Sequence, residues 1–380
     1  MAIILTGSTG VATPAVVDAS GGNTATINSM TPTADSLQGF RNRIINGDMR
    51  IDQRNAGAAV TTSGAYPVDR FPVGNNSDGA FSAQQDTSAP TGFINSLKIT
   101  TTTADGTLTT NQNLNLNQKI EGTNLSDLGW GTANAKTVTL SFWVRSSLTG
   151  TFGGALRNSA ANRSYPYTYT ISVADTWEYK TVTIPGDTSG TWLTTTGIGL
   201  NVYFGLGTGP DLSGTAGAWN SNNNVSATGA VSVIGTLNAT WYITGVQLEV
   251  GSVATPFERR DYGRELIMCQ RYYYKTSSTS TPLGTGYNNT TTTATAMTTF
   301  PVTMRTAPTA LEQTGTATNY RVYHANTATT CSSIPTFSYG AVNLAVSLFT
   351  VSSGLTAGQG SASGGAGVGV TSYLAWSAEL

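Results

Sequence analysis

The chain has 380 residues and a net charge of −1, with only 10% charged residues, against roughly 25% in an ordinary globular domain. A surface carried by Thr, Ser, Asn and the 43 glycines suits exposed β-structure with frequent turns and argues against a helical enzyme. Near-zero charge without a basic stripe leaves no field to collect phosphates, so no nucleic-acid partner is expected. The single His324 and the two separated cysteines, Cys269 and Cys331, speak against a His-based zinc site, most catalytic triads and a disulfide framework.

The chain opens with a short apolar run, Ile3-Ile4-Leu5. It has no basic flank and is too brief for a signal core or a membrane span, so no membrane insertion is expected. Residues 1–41 are small and polar, with too little apolar material for a core. They read as an extended arm, ordered either by a partner or by pairing with the chain's own sandwich.

Residues 42–257 read as one β-sandwich of the jelly-roll kind. Two landmark segments bound it, one from Ile44 through Asn46-Gly47-Asp48 to Arg54, the other from Trp241 through Gly245-Val246-Gln247 to Glu249. They are expected to be its first and last strands and to bring its ends together. Between them, Ser96–Thr100, Thr137–Arg145, Tyr165–Ile171, Tyr179–Ile184 and Gly199–Phe204 read as short strands. Most alternate polar with apolar residues and are separated by Gly, Asn, Asp and Ser turns. Trp143 and Trp241, inside alternating strands, are assigned to the core.

Residues 258–275 break the β rule. Glu258–Arg271 is charged and rich in helix formers, and Tyr262, Leu266, Cys269 and Tyr273 are spaced four, three and four apart. That stripe is either a self-association seam or the face a connecting helix packs on its own sandwich. Residues 276–380 return to β style as a smaller domain, with strands expected at Thr299–Arg305, Tyr320–His324, Leu344–Thr350 and Thr371–Leu380. The Gly-rich Gly358–Gly369 reads as a long loop, and it lacks the Gly-Lys-Ser/Thr of a phosphate cradle.

Several phrases, in order, resemble those of tailed-bacteriophage fibre proteins. They are Ile45-Asn46-Gly47-Asp48 with Asp52-Gln53-Arg54, Tyr66-Pro67-Val68-Asp69-Arg70-Phe71, Thr244 to Glu249, Ala254 to Arg260, and Cys269-Gln270-Arg271-Tyr272-Tyr273. Phe300 to Arg305 and Ser377-Ala378-Glu379-Leu380 resemble that family too, and Ile3 to Gly10 is similar to its virion-attachment start. The resemblance implies a virion structural protein, a homotrimer bound to other virion proteins through residues 1–41, with Ile3, Ile4 and Leu5 in the attachment. It also implies a sandwich similar to carbohydrate-binding jelly rolls, turned toward a host-surface glycan or receptor. A tail fibre is favoured over a head fibre or decoration protein, because the opening phrase resembles fibre-attachment ends.

A hydroxyl- and amide-rich surface suits sugar hydroxyls, and aromatic faces suit sugar rings. The candidate aromatics are Trp130, Tyr165, Tyr167, Trp192 and Trp219, in or beside Gly/Asn-rich loops. No cofactor is expected beyond a structural calcium, for which Asp48, Asp52, Asp69 and Glu249 would converge if the landmark strands pair. The alternative is that these acids cap turns or pair with Arg50 and Arg70. A polysaccharide depolymerase is the rival class, since glycoside hydrolysis needs only two carboxylates. The chain shows no solenoid repeat and no Gly-x-Ser-x-Gly elbow, so no enzyme is expected.

Overall fold

A computed structural model gives the fold, describing Val16–Val17, Thr24–Ala25 and residues 40–367 and 371–380. The chain divides into two units, Met1–Arg41 and Asn42–Leu380. In the first, strands β1 (Val16–Val17) and β2 (Thr24–Ala25) pair antiparallel, Val16 opposite Ala25. The rest of the expected arm, Ile3, Ile4 and Leu5 included, lies outside the described residues.

The second unit is mainly β and begins with a sandwich. Its strands are β3 (Val73–Asn75), β4 (Ala80–Asp86), β5 (Ser96–Thr103), β6 (Asn113–Glu121), β7 (Val138–Ser146) and β8 (Gly150–Arg157), then β9 (Ser164–Ile171), β10 (Glu178–Ile184) and β11 (Ile198–Thr208). A short parallel pair, β12 (Ser213–Gly214) with β13 (Ser226–Ala227), precedes the long β14 (Thr240–Val250). One five-stranded antiparallel sheet runs β10-β7-β14-β5-β4, and the other β3-β6-β11-β8-β9. Period-two alternation turns Leu140, Phe142 and Val144 of β7, Phe204 of β11 and Trp241 and Ile243 of β14 into one shared core. Each such side chain contributes about 1.5–3 kcal/mol by burial.

The opening landmark is not a strand. Asn46 and Met49 adopt left-handed backbone at φ 60° and 58°, which no ladder accepts. The Asn46 amide instead closes the turn, donating to Ile51 O (2.9 Å) and Asp69 O (3.0 Å) while its oxygen accepts from Ile51 N (2.9 Å). The segment still lies against β14, because Arg43 N donates to Leu248 O and Val246 N to Gly47 O, both at 2.9 Å. Gly47 is required there, since a Cβ would collide with the Val246 carbonyl. The two landmarks therefore meet, as turn against strand.

Helix α1 (Tyr262–Gln270) starts later than the composition suggests, with Asp261 capping it by accepting from Arg264 N at 2.9 Å. Residues 258–260 belong to no helix or strand, and Glu258 N donates to Gln247 Oε1 at 2.8 Å. A second sandwich follows, built from β15 (Tyr273–Ser278), β16 (Pro282–Asn288), β17 (Thr293–Thr299), β18 (Glu312–Gln313) and β19 (Tyr320–His324), then β20 (Thr327–Thr330), β21 (Thr336–Ala341), β22 (Leu344–Thr350), β23 (Gly360–Gly365) and β24 (Ser372–Ser377). A three-stranded sheet, β15-β24-β18, faces a seven-stranded one, β20-β19-β23-β16-β17-β22-β21.

Two expectations for this domain are corrected. Residues 300–305 leave the ladder, because Pro301 has no N–H to donate; Phe300 and Met304 instead point into the core. The Gly-rich stretch contains a strand rather than only a loop. Gly364 and Gly365 let β23 approach Thr281–Pro282 and Ser278 at distances that a Cβ would forbid.

The two sandwiches join through the phrases that carry the resemblance. Arg70 lies 3.5 Å over the Tyr272 ring and pairs with Glu379, while Arg54 lies 3.6 Å over Tyr273 and 3.3 Å from Glu379. Arg271 and the Tyr272 hydroxyl both reach Glu121, at 2.7 Å each. Burial would raise the Glu121 pKa, but the hydrogen bonds from Arg271 and Tyr272 outweigh it and hold the carboxyl below its ordinary value. Burial pushes the Tyr272 phenol up to about 12. Glu265 is raised by burial, despite Arg260 3.4 Å away.

Candidate functional site

The outer face of the β10-β7-β14-β5-β4 sheet carries an open cleft of about 460 Å³, within the range of small-ligand sites. Strand β7 sends Phe142 inward and therefore Ser141 and Trp143 outward. On β10, Tyr179 pairs in register with Trp143, and their rings lie 5.4 Å apart, tilted by 48°. The bulge in β14 between Thr244 and Gln247 contains Gly245 at φ 62°. A Cβ there would come within 2.7 Å of Phe93 and 3.2 Å of Trp143, so this glycine keeps the cleft open. The far wall is Ala254 to Phe257 with Arg259, Phe257 meeting Phe93 edge-to-face at 5.3 Å.

Polar groups are few and placed. Thr255 is anchored by Glu249, which accepts from its N–H at 2.8 Å and its hydroxyl at 2.6 Å. Arg259 stacks 4.8 Å over Phe93 and 5.9 Å from Phe257, with one N–H on Gly92 O at 2.5 Å. Tyr179 is 44% exposed. Half-exposed aromatic faces beside fixed donors can take an apolar ring surface and orient its substituents.

The sequence placed this site elsewhere. Trp143 was expected in the core but lines the cleft, whereas Trp241 is buried as expected. Trp130, Trp192 and Trp219 form a mutual edge-to-face cluster with centroids 4.8–5.4 Å apart, and Tyr165 adds to it 5.3 Å from Trp219. Their indole N–H groups are occupied: Trp130 donates to Lys136 O, Trp219 to Pro185 O, and Trp192 to Ser189 O. Trp130, Tyr165 and Tyr167 are buried, Tyr167 with its hydroxyl on Tyr203 O at 2.8 Å. Only Trp192 and Trp219 keep part of their surface. Phe93, Tyr179, Phe257 and Arg259 were missed.

The calcium set does not converge. Asp48 pairs with Arg50, Asp52 caps a turn through Asn55 N and Gly57 N, Asp69 accepts from Gln53, and Glu249 binds Thr255. Among the described residues, no group of three acidic, His or Cys side chains could hold a metal ion. The helix stripe is used within the chain. Cys269 is buried with Ile45, Ile51 and Tyr272, Leu266 packs against them, and Tyr273 lies buried beneath Arg54. Of the four, Tyr262 is exposed and Leu266 half-buried, so the stripe is mostly spent within its own chain, the second of the two expectations.

No known family model matches the chain, and no curated protein matches it. Among solved structures, it is similar to the enzymatically active domain of bacteriophage CBA120 tailspike protein 4, at 12% identity and TM-score 0.30 over 55% of this chain. It spans only 21% of that domain. A putative sugar binding protein from Bacteroides thetaiotaomicron matches at 14% identity and TM-score 0.32, over 56% of this chain and all (100%) of the other. A family 11 carbohydrate-binding module from Clostridium thermocellum, solved with a mixed-linked tetrasaccharide, matches at 13% and 0.27 over 53% of this chain and 100% of the other.

Proposed function

We propose that the chain is a structural protein of a bacteriophage virion, a trimeric tail fibre that reads a host-surface glycan through the Trp143 cleft. The cleft carries the glycan half of this reading: Trp143, Tyr179, Phe93 and Phe257 present ring faces around a volume that admits a few sugar units. No carboxylate of the described residues lines it, which favours binding over hydrolysis by a carboxylate pair. The virion half rests on the ordered phrases of the sequence, with residues 1–41 as the attachment to other virion proteins.

With the helix stripe occupied, contact between copies falls to the seven-stranded sheet of the second sandwich. There Met297, Val346 and Tyr339 stand in one cross-strand row, Met297 and Tyr339 exposed. Along β17, Thr293, Thr295 and Thr299 share the phase of Met297, so the row stands on an uncharged surface that a second copy can meet without a charge penalty.

The test is an array of bacterial surface polysaccharides probed with the labelled chain. Trp143→Ala removes a ring face worth about 1.5–3 kcal/mol, so affinity should fall by about ten- to a hundredfold. Undiminished binding would move the site to Trp192 and Trp219.

A further inference from the structure

We infer that the ligand of the cleft is an acidic glycan, whose sugar carboxylate is held by Arg259. This rests on the glycan reading above and narrows it. Among the ten side chains and backbone positions lining the cleft, Arg259 is the one charged group. It is exposed and contacts a carbonyl, Gly92 O, and two aromatic rings; no carboxylate of the described residues pairs with it. The contrast within the molecule is direct, because Arg163 and Arg271 are each paired at 2.6–2.7 Å with Asp187 and Glu121.

The acids around Arg259 in the chain are engaged elsewhere: Glu258 accepts from Asn42 N at 2.5 Å and lies 3.3 Å from Arg260, and Asp261 caps α1. Glu249 is buried behind Thr255, with its oxygens accepting from the Thr255 N–H and hydroxyl and from Gln247. The cleft therefore presents a positive field with no counter-ion built into its walls.

Its donor–acceptor balance points the same way. A neutral sugar offers hydroxyls, which a protein commonly meets with carboxylate or amide acceptors. Here no Asp, Glu, Asn or Gln lines the wall, and the remaining polar side chains are Ser141, Tyr179 and Thr255. A ligand that supplies its own strong acceptor fits better. The guanidinium is stacked on Phe93 and tied to Gly92, so its plane is fixed and its free N–H edge is ready for a two-point bond to a carboxylate. A phosphate would call for further donors, such as a second cation or a cradle of backbone N–H groups, and the lining offers no second cation. The class is thus a uronic acid or another carboxylated sugar, its ring stacked on Trp143 or Tyr179.

The experiment uses the full chain on immobilised acidic bacterial polysaccharides and on the same polymers after chemical reduction of their carboxyls, which preserves every linkage. Charged hydrogen bonds contribute about 1.5–3 kcal/mol, so reduction should weaken binding by about ten- to a hundredfold. Arg259→Gln should lose the same factor on the acidic polymer and clearly less on the reduced one, while Arg259→Lys should retain part of it. The acidic-polymer affinity should also fall with added salt. Equal binding to acidic and reduced polymers, sensitive to Trp143→Ala and indifferent to Arg259→Gln, would overturn the acidic specificity and leave the glycan site standing. Binding insensitive to both variants, or no binding to any polymer, would overturn both.

Discussion

Gly245→Ala tests whether the β14 bulge shapes the cleft. Gly245 sits at φ 62°, where an L-residue costs about 1–2 kcal/mol. Its added methyl would also lie 2.7 Å from Phe93 Cζ and 3.2 Å from Trp143 Cδ1. Pushing a packed ring aside costs about 1–3 kcal/mol more. At about 2–4 °C per kcal/mol for a domain of this size, the melting temperature should drop by roughly 4–20 °C. Gly64→Ala isolates the backbone contribution, because Gly64 has φ +84° with nothing within 4 Å of its Cβ position. It should lose only about 2–8 °C. Calorimetry gives the two shifts, and polysaccharide affinity reports the cleft, which only Gly245→Ala should impair. Equal shifts with equal affinities would refute the claim that this glycine holds Phe93 and Trp143 apart.

Three further outcomes follow from the described contacts. Glu121 is held below its ordinary value of 4.5, so its contribution is complete above that pH and is lost as pH falls through the lower folded value; Glu121→Gln should cost about 2–4 kcal/mol at pH 7 and flatten the acid side of the stability curve. Treatment with EDTA should leave the melting temperature unchanged, since Asp48, Asp52, Asp69 and Glu249 already have protein partners, and a drop would restore the calcium site. Met297→Glu places a charge in the exposed row of the seven-stranded sheet, so under the proposed trimeric reading sedimentation should give monomers for the variant; the same oligomer for variant and parent would move the contact elsewhere.

Most strands were legible because period two is local: the alternation of β5, β7, β9 and β10 is written in neighbouring residues. The same rule already assigned Trp143 to the outer face, in phase with Ser141 and Arg145 and out of phase with Leu140, Phe142 and Val144. Residue type overrode phase, and the site was lost with it. Phe93, Phe257 and Arg259 carry no such signal, because two segments outside any helix or strand bring them together only through the bulge at Gly245. The Trp130, Trp192 and Trp219 cluster misled for the opposite reason, since Gly/Asn-rich surroundings in sequence became an aromatic plug in space. The phrases that carry the resemblance do not describe the cleft as a whole. Several of their charged residues, Arg54, Arg70, Arg271 and Glu379, are consumed by the joint between the sandwiches.

The meeting of turn and strand at Asn42 to Gly47 has a mechanical consequence. Asn42 bonds Val246 O and Leu248 N at 3.0 and 3.1 Å, Arg43 N bonds Leu248 O at 2.9 Å, and Arg260 donates to Ile44 O at 3.1 Å. Tension applied between Asn42 and the second sandwich therefore passes straight across these bonds into β14 and the segment beyond it. The strands β3 to β11 hang beside that line of force like a weight on a taut cord. Because Gly245 of β14 and residues 254–259 line the cleft, such a pull would bear on one wall of it directly, and the other strands would take load only after the bonds at Asn42 to Ile44 had sheared.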